Sequence, residues 1–276
     1  MKQINLQGYT ILITRPQPEA QVTAEQVRKY QGIPLLAPAL TILPPRDAGP
    51  LQQAMARCLE NPSPYRGILV TSANGARAVV KAMPPLSIPP PLFAVGEKSA
   101  AILRKQGWSV HTPPASAGGE KLAEAIIHWE LSHRAAIGKP EPGDAREKPF
   151  LFPQAEQGRE ELATVLQQAG YRVEKVAAYR AEPITELPPE VQTALAEEKV
   201  DAVLFFSGRT AQAMVAAIPA HGRQWLKKIC IAAISPITAD AIQQLGYQVT
   251  VLAREPNSMS ILTALHHYWH STPGKP

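Results

Sequence analysis

Cysteine is scarce in this chain: two in 276 residues, Cys58 and Cys230, with no CxxC spacing and no histidine close by in sequence. That rules out a disulfide framework and a CxxC redox or zinc motif. Cys58 falls in a helical pattern and Cys230 inside the apolar run Ile229-Cys230-Ile231, so both read as reduced structural thiols. Long apolar runs are absent too, none approaching the roughly 18 residues a membrane span needs. The opening MKQINLQGYTILITRP holds an apolar run too short for a signal-peptide core, and Arg15-Pro16 interrupts it. The expectation is a soluble, cytoplasmic protein with no membrane association. No GxGxxG follows a strand and no GxxxxGK[ST] occurs, which argues against dinucleotide and P-loop chemistry. Metal-ligand spacing is missing. His266-His267 and His270 read as a solvent-exposed helix end before a frayed tail rather than a metal tract. No Ser-His-Asp or Cys-His set stands out.

What the chain has in quantity is proline, 28 residues, about twice the usual share. The prolines cluster at 34–50, 62–64, 84–91, 113–114, 140–149 and 183–189, as punctuation between elements. The polar stretch Ser132–Pro149 reads as an exposed, mobile loop. Net charge is +5, scattered through Arg28-Lys29, Arg104-Lys105 and Lys227-Lys228. Most of this is solvated surface. The mild excess suits a small anion in a cleft better than nucleic acid, which is not expected as a partner.

Short apolar runs lead repeatedly into amphipathic helical patterns. Tyr9–Thr14 precedes 18–31, Gly67–Thr71 precedes 74–83, and Leu92–Val95 precedes 97–106. Phe150–Phe152 precedes 158–169, Val203–Phe206 precedes 209–217, and Ile229–Ile234 precedes 236–245. This alternation predicts an α/β protein with parallel sheets flanked by helices. The pattern also recurs. GILVTSANGARAVV at Gly67 parallels AVLFFSGRTAQAMV at Ala202, AVGEKSAAILRKQGWSV parallels AAISPITADAIQQLGYQV, and ILITRPQPEA parallels FLFPQAEQGR. Ser72 with Ser207, Ser99 with Thr238, and Gly32 with Gly170 stand 135, 139 and 138 residues apart. A near-constant offset of half the chain predicts a duplicated unit, hence two similar domains with a cleft between them.

Four strand-to-helix corners carry small or hydroxyl residues: Thr71-Ser72-Ala73-Asn74, Gly96-Glu97-Lys98-Ser99, Ser207-Gly208-Arg209-Thr210 and Ser235-Pro236-Ile237-Thr238. A helix beginning there leaves its first N–H groups without partners and presents partial positive charge, so such corners bind anions. Any one of them also reads simply as an N-cap. In open parallel sheets these corners lie at the carboxyl ends of the strands, where ligands sit.

These pieces, in this order from about Leu6 to Leu265, resemble the uroporphyrinogen-III synthase family. The matching stretches are ILITRP, ILVTSANGARAV, FAVGEKSAAILRKQGWSV, GREELATVLQQAGYRVEKVAAYR, AVLFFSGRTAQAM and IAAISPITADAIQQLGYQV. The resemblance implies two α/β domains joined by a two-stranded β-ladder. One domain would comprise 1–36 plus 183–276 and the other 43–176. The ladder would lie at 37–42 and 177–182, within the paired segments Leu35–Ile42 and Val176–Glu182. It implies a hydro-lyase that closes hydroxymethylbilane, a linear tetrapyrrole with eight carboxylates, to uroporphyrinogen III, losing water and inverting the last pyrrole ring through a spiro intermediate. It implies no cofactor or metal, a monomer, and the upstream hydroxymethylbilane-producing enzyme as a candidate partner.

Residue by residue, Tyr179 in AAYRAE matches the tyrosine to which the family assigns assistance of hydroxide departure. A phenol is protonated at neutral pH and can donate at that step. Thr238 matches a threonine placed in the cleft, and Ser99 stands where many members have threonine. Thr14, Arg15, Ser72, Lys98, Gln154, Ser207 and Ser235 are carried over as substrate-lining residues. Three departures stand out. Ser235-Pro236 replaces a Gly-Pro pair, Gln154-Ala155 replaces an Arg-Gly pair, and Ser207-Gly208-Arg209 replaces Ser-Pro-Ser. They motivate the alternative of a non-catalytic tetrapyrrole- or anion-binding relative.

Overall fold

The computed structural model describes residues 4–85, 87–113, 118–137, 147–158 and 160–271. The chain begins with β1 (Thr10–Ile13), α1 (Glu19–Lys29), β2 (Ile33–Leu36) and β3 (Leu40–Leu43). Its middle runs through α2 (Gly49–Arg57), β4 (Gly67–Val70), α3 (Ala73–Ala82), β5 (Leu92–Ala94), α4 (Glu97–Arg104) and β6 (Val110–His111). It continues with α5 (Gly119–Ile137), β7 (Phe150–Ala155), α6 (Glu161–Gln168) and β8 (Val173–Pro183). The last third holds α7 (Pro189–Ala196), β9 (Ala202–Phe205), α8 (Gly208–Ala217), β10 (Cys230–Ala233), α9 (Pro236–Gln244), β11 (Val251–Leu252) and α10 (Ser258–Ser271). Two compact units result: Met1–Ile42 with Ala181–Pro276, and Leu43–Arg180. The chain passes from one to the other within β3 and again within β8, which are neighbours in one sheet.

The two units share one topology. The first has strand order β11-β10-β9-β1-β2, and the second β6-β5-β4-β7-β8 with β3 added outside β8. Pairing among the five strands of each is parallel. Register matches as well as order: Ile11 lies opposite Ala202 as Phe150 lies opposite Gly67. The first unit is therefore the second with its chain opened elsewhere, its β9-to-β11 half coming last in sequence and its β1-to-β2 half first. One alignment shifts by a residue. Gln31 (φ 68°), not Gly32, takes the place of Gly170 (φ 85°) after the preceding helix, and the offset becomes 139, as it is between Gly107 and Gly246. Both those glycines also have positive φ, +80° and +83°, the left-handed C-terminal stop that glycine adopts without steric cost.

Side-chain alternation along the strands explains why helices cover both faces. Ile68, Val70, Leu92 and Ala94 pack with α2, α3 and α4 residues, whereas Leu69, Phe93, Phe150 and Phe152 pack with α5 and α6. In the other unit Val203, Phe205, Ile231 and Ala233 face α7, α8 and α9, while Ile11, Ile13, Leu204 and Ala232 face α1 and α10. A period of two with both faces apolar is what a fully covered parallel strand requires.

Several sequence expectations need correction. Helix α5 carries its helical backbone through residue 137, so the exposed loop expected at 132–149 does not begin at 132; Ala135-Ala136-Ile137 continue a helix readily. Residues 138–146 of that stretch lie outside the described residues. Prolines punctuate less than expected: Pro50 and Pro236 sit in the first turns of α2 and α9, where the missing N–H costs nothing. Pro34 lies in β2, an edge strand. Because β2 pairs with β1, Leu35 and Leu36 belong to that sheet rather than to a connecting ladder. His266 is not at a solvent-exposed end. It is 7% exposed and its Nδ1 lies 3.2 Å from the Asn5 N–H, which donates to it. The expected tail beyond residue 271 lies outside the described residues.

Candidate functional site

In a doubly wound sheet a crevice opens at the carboxyl edge where successive helices go to opposite faces. In the second unit this switch lies between β4, followed by α3, and β7, followed by α6. In the first it lies between β9, followed by α8, and β1, followed by α1. The candidate residues gather at these edges, unit by unit.

All four corners have the same backbone. The N-cap residues Ser72, Gly96, Ser207 and Ser235 are extended, with φ of −151°, −174°, −166° and −158°. At the three serine corners the side chain accepts from the third helical N–H: Gly75 to Ser72 at 2.9 Å, Thr210 to Ser207 at 3.2 Å and Thr238 to Ser235 at 3.3 Å. That leaves the first two N–H groups without a helical acceptor, Ala73 and Asn74 on α3 and Gly208 and Arg209 on α8. On α9 the first residue is Pro236, so only Ile237 offers one. Two serines capping adjacent helices in one unit, with a third in the other, give each sheet an electropositive rim.

Tyr179 ends the part of β8 that pairs with β7, opposite Ala155. Its half-buried ring packs on the α3 side of the sheet, and its hydroxyl lies 3.1 Å from Ser72 Oγ. Since β7 stands between β8 and β4, the phenol reaches over the end of β7 to the α3 corner. Gln154 lies at that end. Its Oε1 is buried and has no hydrogen-bond partner; a Cβ on Gly158 would sit 2.1 Å from that oxygen, so a larger residue there would turn the amide to another rotamer.

The family model described as uroporphyrinogen-III synthase HemD matches residues 21–263, across both units. The chain belongs to the uroporphyrinogen-III synthase family. It is 27% identical to the uroporphyrinogen-III synthase of Synechococcus elongatus, over 96% of this chain and 97% of that protein. It is 22% identical to the one from Chlorobaculum parvum, over 88% and 92%. In fold it resembles a mutant uroporphyrinogen III synthase from Thermus thermophilus, with TM-score 0.56, 17% identity and 96% and 100% of the two chains covered. It also resembles the uroporphyrinogen-III synthetase of Helicobacter pylori, with TM-score 0.50, 15% identity and 92% and 97% covered.

Set against what family membership led us to expect, the side chains divide into two groups. Ser72, Gln154 and Tyr179 come together in the second unit. Ser207 and Ser235 cap neighbouring helices in the first, whose strand β1 lies beside β9 and is followed directly by Thr14-Arg15. Arg15 donates to Ser258 Oγ at 3.1 Å and lies 4.3 Å above the Phe206 ring. Thr14, Ser99 and Thr238 are buried, at 0, 4 and 3% exposure, and offer no open hydroxyl. Thr14 Oγ1 donates to the Leu204 carbonyl at 2.7 Å, tying β1 to β9. Thr238 Oγ1 lies 3.1 Å from Ser235 Oγ. The reason is positional: the third residue of a helix turns its side chain back onto its own cap. Lys98 is exposed on the first turn of α4, which has no side-chain cap.

Sequence reasoning placed Thr210 in its corner but did not single it out as a site residue; its Oγ1 donates to the Ser207 carbonyl at 2.8 Å. Its spacing from Ser207 equals that of Thr238 from Ser235, which was the available signal. Gly75 was also missed. Among the described residues no group of three or more His, Cys, Asp or Glu is placed to hold a metal ion, and no helix is long and apolar enough to cross a membrane.

Proposed function

We infer that this protein is a uroporphyrinogen-III synthase, a lyase of tetrapyrrole biosynthesis that closes hydroxymethylbilane to uroporphyrinogen III with loss of water. The observation that carries the reading is the family match across residues 21–263, supported by two relatives named for this activity that align along nearly their full lengths. The alternative of a non-catalytic relative is not favoured by these matches.

On this reading the chemistry needs two things. A flexible chain bearing eight carboxylates must be held, and helix N-terminal amides do that without the desolvation and side-chain ordering that lysines would require. A poor leaving group, hydroxide, must also depart from the hydroxymethyl carbon as water, which requires a proton donor. We propose Tyr179 as that donor. The amides of the Ser72, Gly96, Ser207 and Ser235 corners are the proposed carboxylate sites, with Arg15, Lys98 and Gln154 adding side-chain contacts. In this proposal Thr14, Ser99 and Thr238 support the rims from beneath. The domain division at 1–36 plus 183–276 and 43–176, with a connecting ladder at 37–42 and 177–182, belongs to the same proposal. So does action as a cytoplasmic monomer supplied by the enzyme that makes hydroxymethylbilane.

The test is the isomer formed. Purified protein given fresh hydroxymethylbilane is expected to yield the type III product. Formation of the spontaneous type I isomer alone would remove the assignment.

A further inference from the structure

We propose that Ser72 is a positioning residue for Tyr179: it donates its hydroxyl proton to the phenol oxygen and so turns the phenol O–H outward, toward the substrate. The inference rests on the assignment of Tyr179 as proton donor made above, and concerns how the protein readies that donor.

The Ser72–Tyr179 contact, 3.1 Å between oxygens, has two possible polarities. If the phenol donates to serine, its proton is engaged and cannot be given to a leaving group. If serine donates, the phenol proton is free. Two observations select the second polarity. Ser72 Oγ already accepts the Gly75 N–H at 2.9 Å, at the positive end of the ten-residue helix α3. An oxygen that accepts from such an amide becomes a weaker second acceptor and a better donor. The first unit supplies the comparison. Ser207, in the same cap geometry and accepting from the Thr210 N–H, donates its own proton to Thr210 Oγ1 at 3.2 Å.

Residue 75 is what sets the Ser72 corner apart. The third helical position holds a hydroxyl at the other three corners, in Ser99, Thr210 and Thr238, but glycine here. With no hydroxyl at that position to receive its proton, Ser72 has Tyr179 as its acceptor. A Cβ at Gly75 would lie 3.3 Å from Ser72 Oγ and 3.4 Å from the Pro153 carbonyl, so a side chain there would press on the serine hydroxyl by a few tenths of an ångström. The result is one ordered chain of donors, from Gly75 N–H to Ser72 O–H to Tyr179 O–H to the substrate hydroxyl.

In the step it serves, the bond between the hydroxymethyl carbon and its oxygen breaks, and the electron pair stays on oxygen. The phenol proton passes to that oxygen and water departs. The pyrrole nitrogen lone pair forms a new C=N bond to stabilise the carbon left behind. Tyr179 remains as phenolate, accepting from Ser72, until a proton released as the closed ring regains aromaticity restores the phenol. No further reactant is needed.

The test separates this role from helix capping. Ser72→Gly removes the donor yet caps a helix nearly as well as serine, whereas Ser72→Thr keeps both functions. With thermal unfolding as a folding control, Ser72→Gly is expected to lower kcat about tenfold, the worth of one hydrogen bond to the reacting group, with KM changed less than about twofold. Ser72→Thr should restore most of that loss. In a Tyr179→Phe background the glycine substitution should add nothing. Unchanged kcat in Ser72→Gly beside an impaired Tyr179→Phe overturns this inference and leaves the Tyr179 assignment standing. A loss carried by KM alone, or one that adds fully to that of Tyr179→Phe, also overturns it. Full turnover in Tyr179→Phe removes the Tyr179 assignment and this inference together.

Discussion

Gly208 opens α8 at the corner built on Ser207, and its backbone does not demand glycine. What demands it is helix α9. A Cβ on residue 208 would lie 2.6 Å from the Ala241 Cβ, whereas carbon atoms in contact rest about 3.5–4.0 Å apart. Gly208→Ala must therefore push α8 and α9 apart by about 1 Å. Overpacking of this kind costs about 1–3 kcal/mol. Removing a helical glycine returns at most about 1 kcal/mol, and less in a first turn. The clash wins, by about 1–2 kcal/mol, which at roughly 2–4 °C per kcal/mol for a chain of this size lowers Tm by a few degrees. The same separation displaces the amides of Gly208 and Arg209 from that of Ile237, so KM for hydroxymethylbilane should rise more than kcat falls. Far-UV circular dichroism melts and steady-state kinetics measure the two effects. Ala241→Gly in the same chain removes the opposing methyl and should recover both. A Gly208→Ala protein that melts at or above the parent temperature, or a double variant that recovers nothing, would refute the packing argument.

Two further predictions concern the second unit. Glu130 and Arg66 form a buried, two-pronged ion pair, 3% and 11% exposed at the side chains. Glu130→Ala should cost about 3–5 kcal/mol in urea unfolding, whereas the pair replaced together by leucine and methionine should be nearly neutral. Burial pushes the Cys58 thiol up from 9.0 to about 12, with the Glu174 carboxylate adding to the effect. The folded state holds this thiol protonated while the unfolded chain ionises it from about pH 9. Its stabilising contribution is thus complete below pH 9 and lost as pH rises from 9 toward 12. Urea midpoints between pH 7 and 10.5 should fall less steeply for Cys58→Ala than for the parent, and equal slopes would contradict the reasoning.

Much of the fold is legible in sequence because parallel strands and their helices are written locally. The runs at Gly67, Leu92, Ala202 and Cys230 are buried on both faces and end at a serine or glycine cap, so their helices begin within a residue or so of expectation. Elements settled by tertiary context were harder to read. Pro34 and Pro153 lie inside strands because each occupies a place where no ladder N–H is needed: β2 is an edge, and Pro153 lies beyond the last residue of β7 paired with β4. Helix α2 opens Gly49-Pro50, which looks like a turn until the proline is recognised as a first-turn residue. At the site, the corners were visible as Ser and Gly at strand ends. The inward turn of Ser99 and Thr238, the burial of Thr14 and the meeting of Tyr179 with Ser72 depend on residues more than 100 positions apart or on helix geometry, which composition does not encode.

The central claim is that amides at the strand-to-helix corners hold the substrate's carboxylates, and backbone amide NMR on addition of uroporphyrinogen III under anaerobic conditions tests it most directly. The largest shifts are expected at Ala73, Asn74, Gly208, Arg209 and Ile237, with Gly8, Arg66 and Asp201, at the opposite edges of the same sheets, unmoved. Shifts concentrated at those opposite edges, with the corner amides silent, would contradict the account.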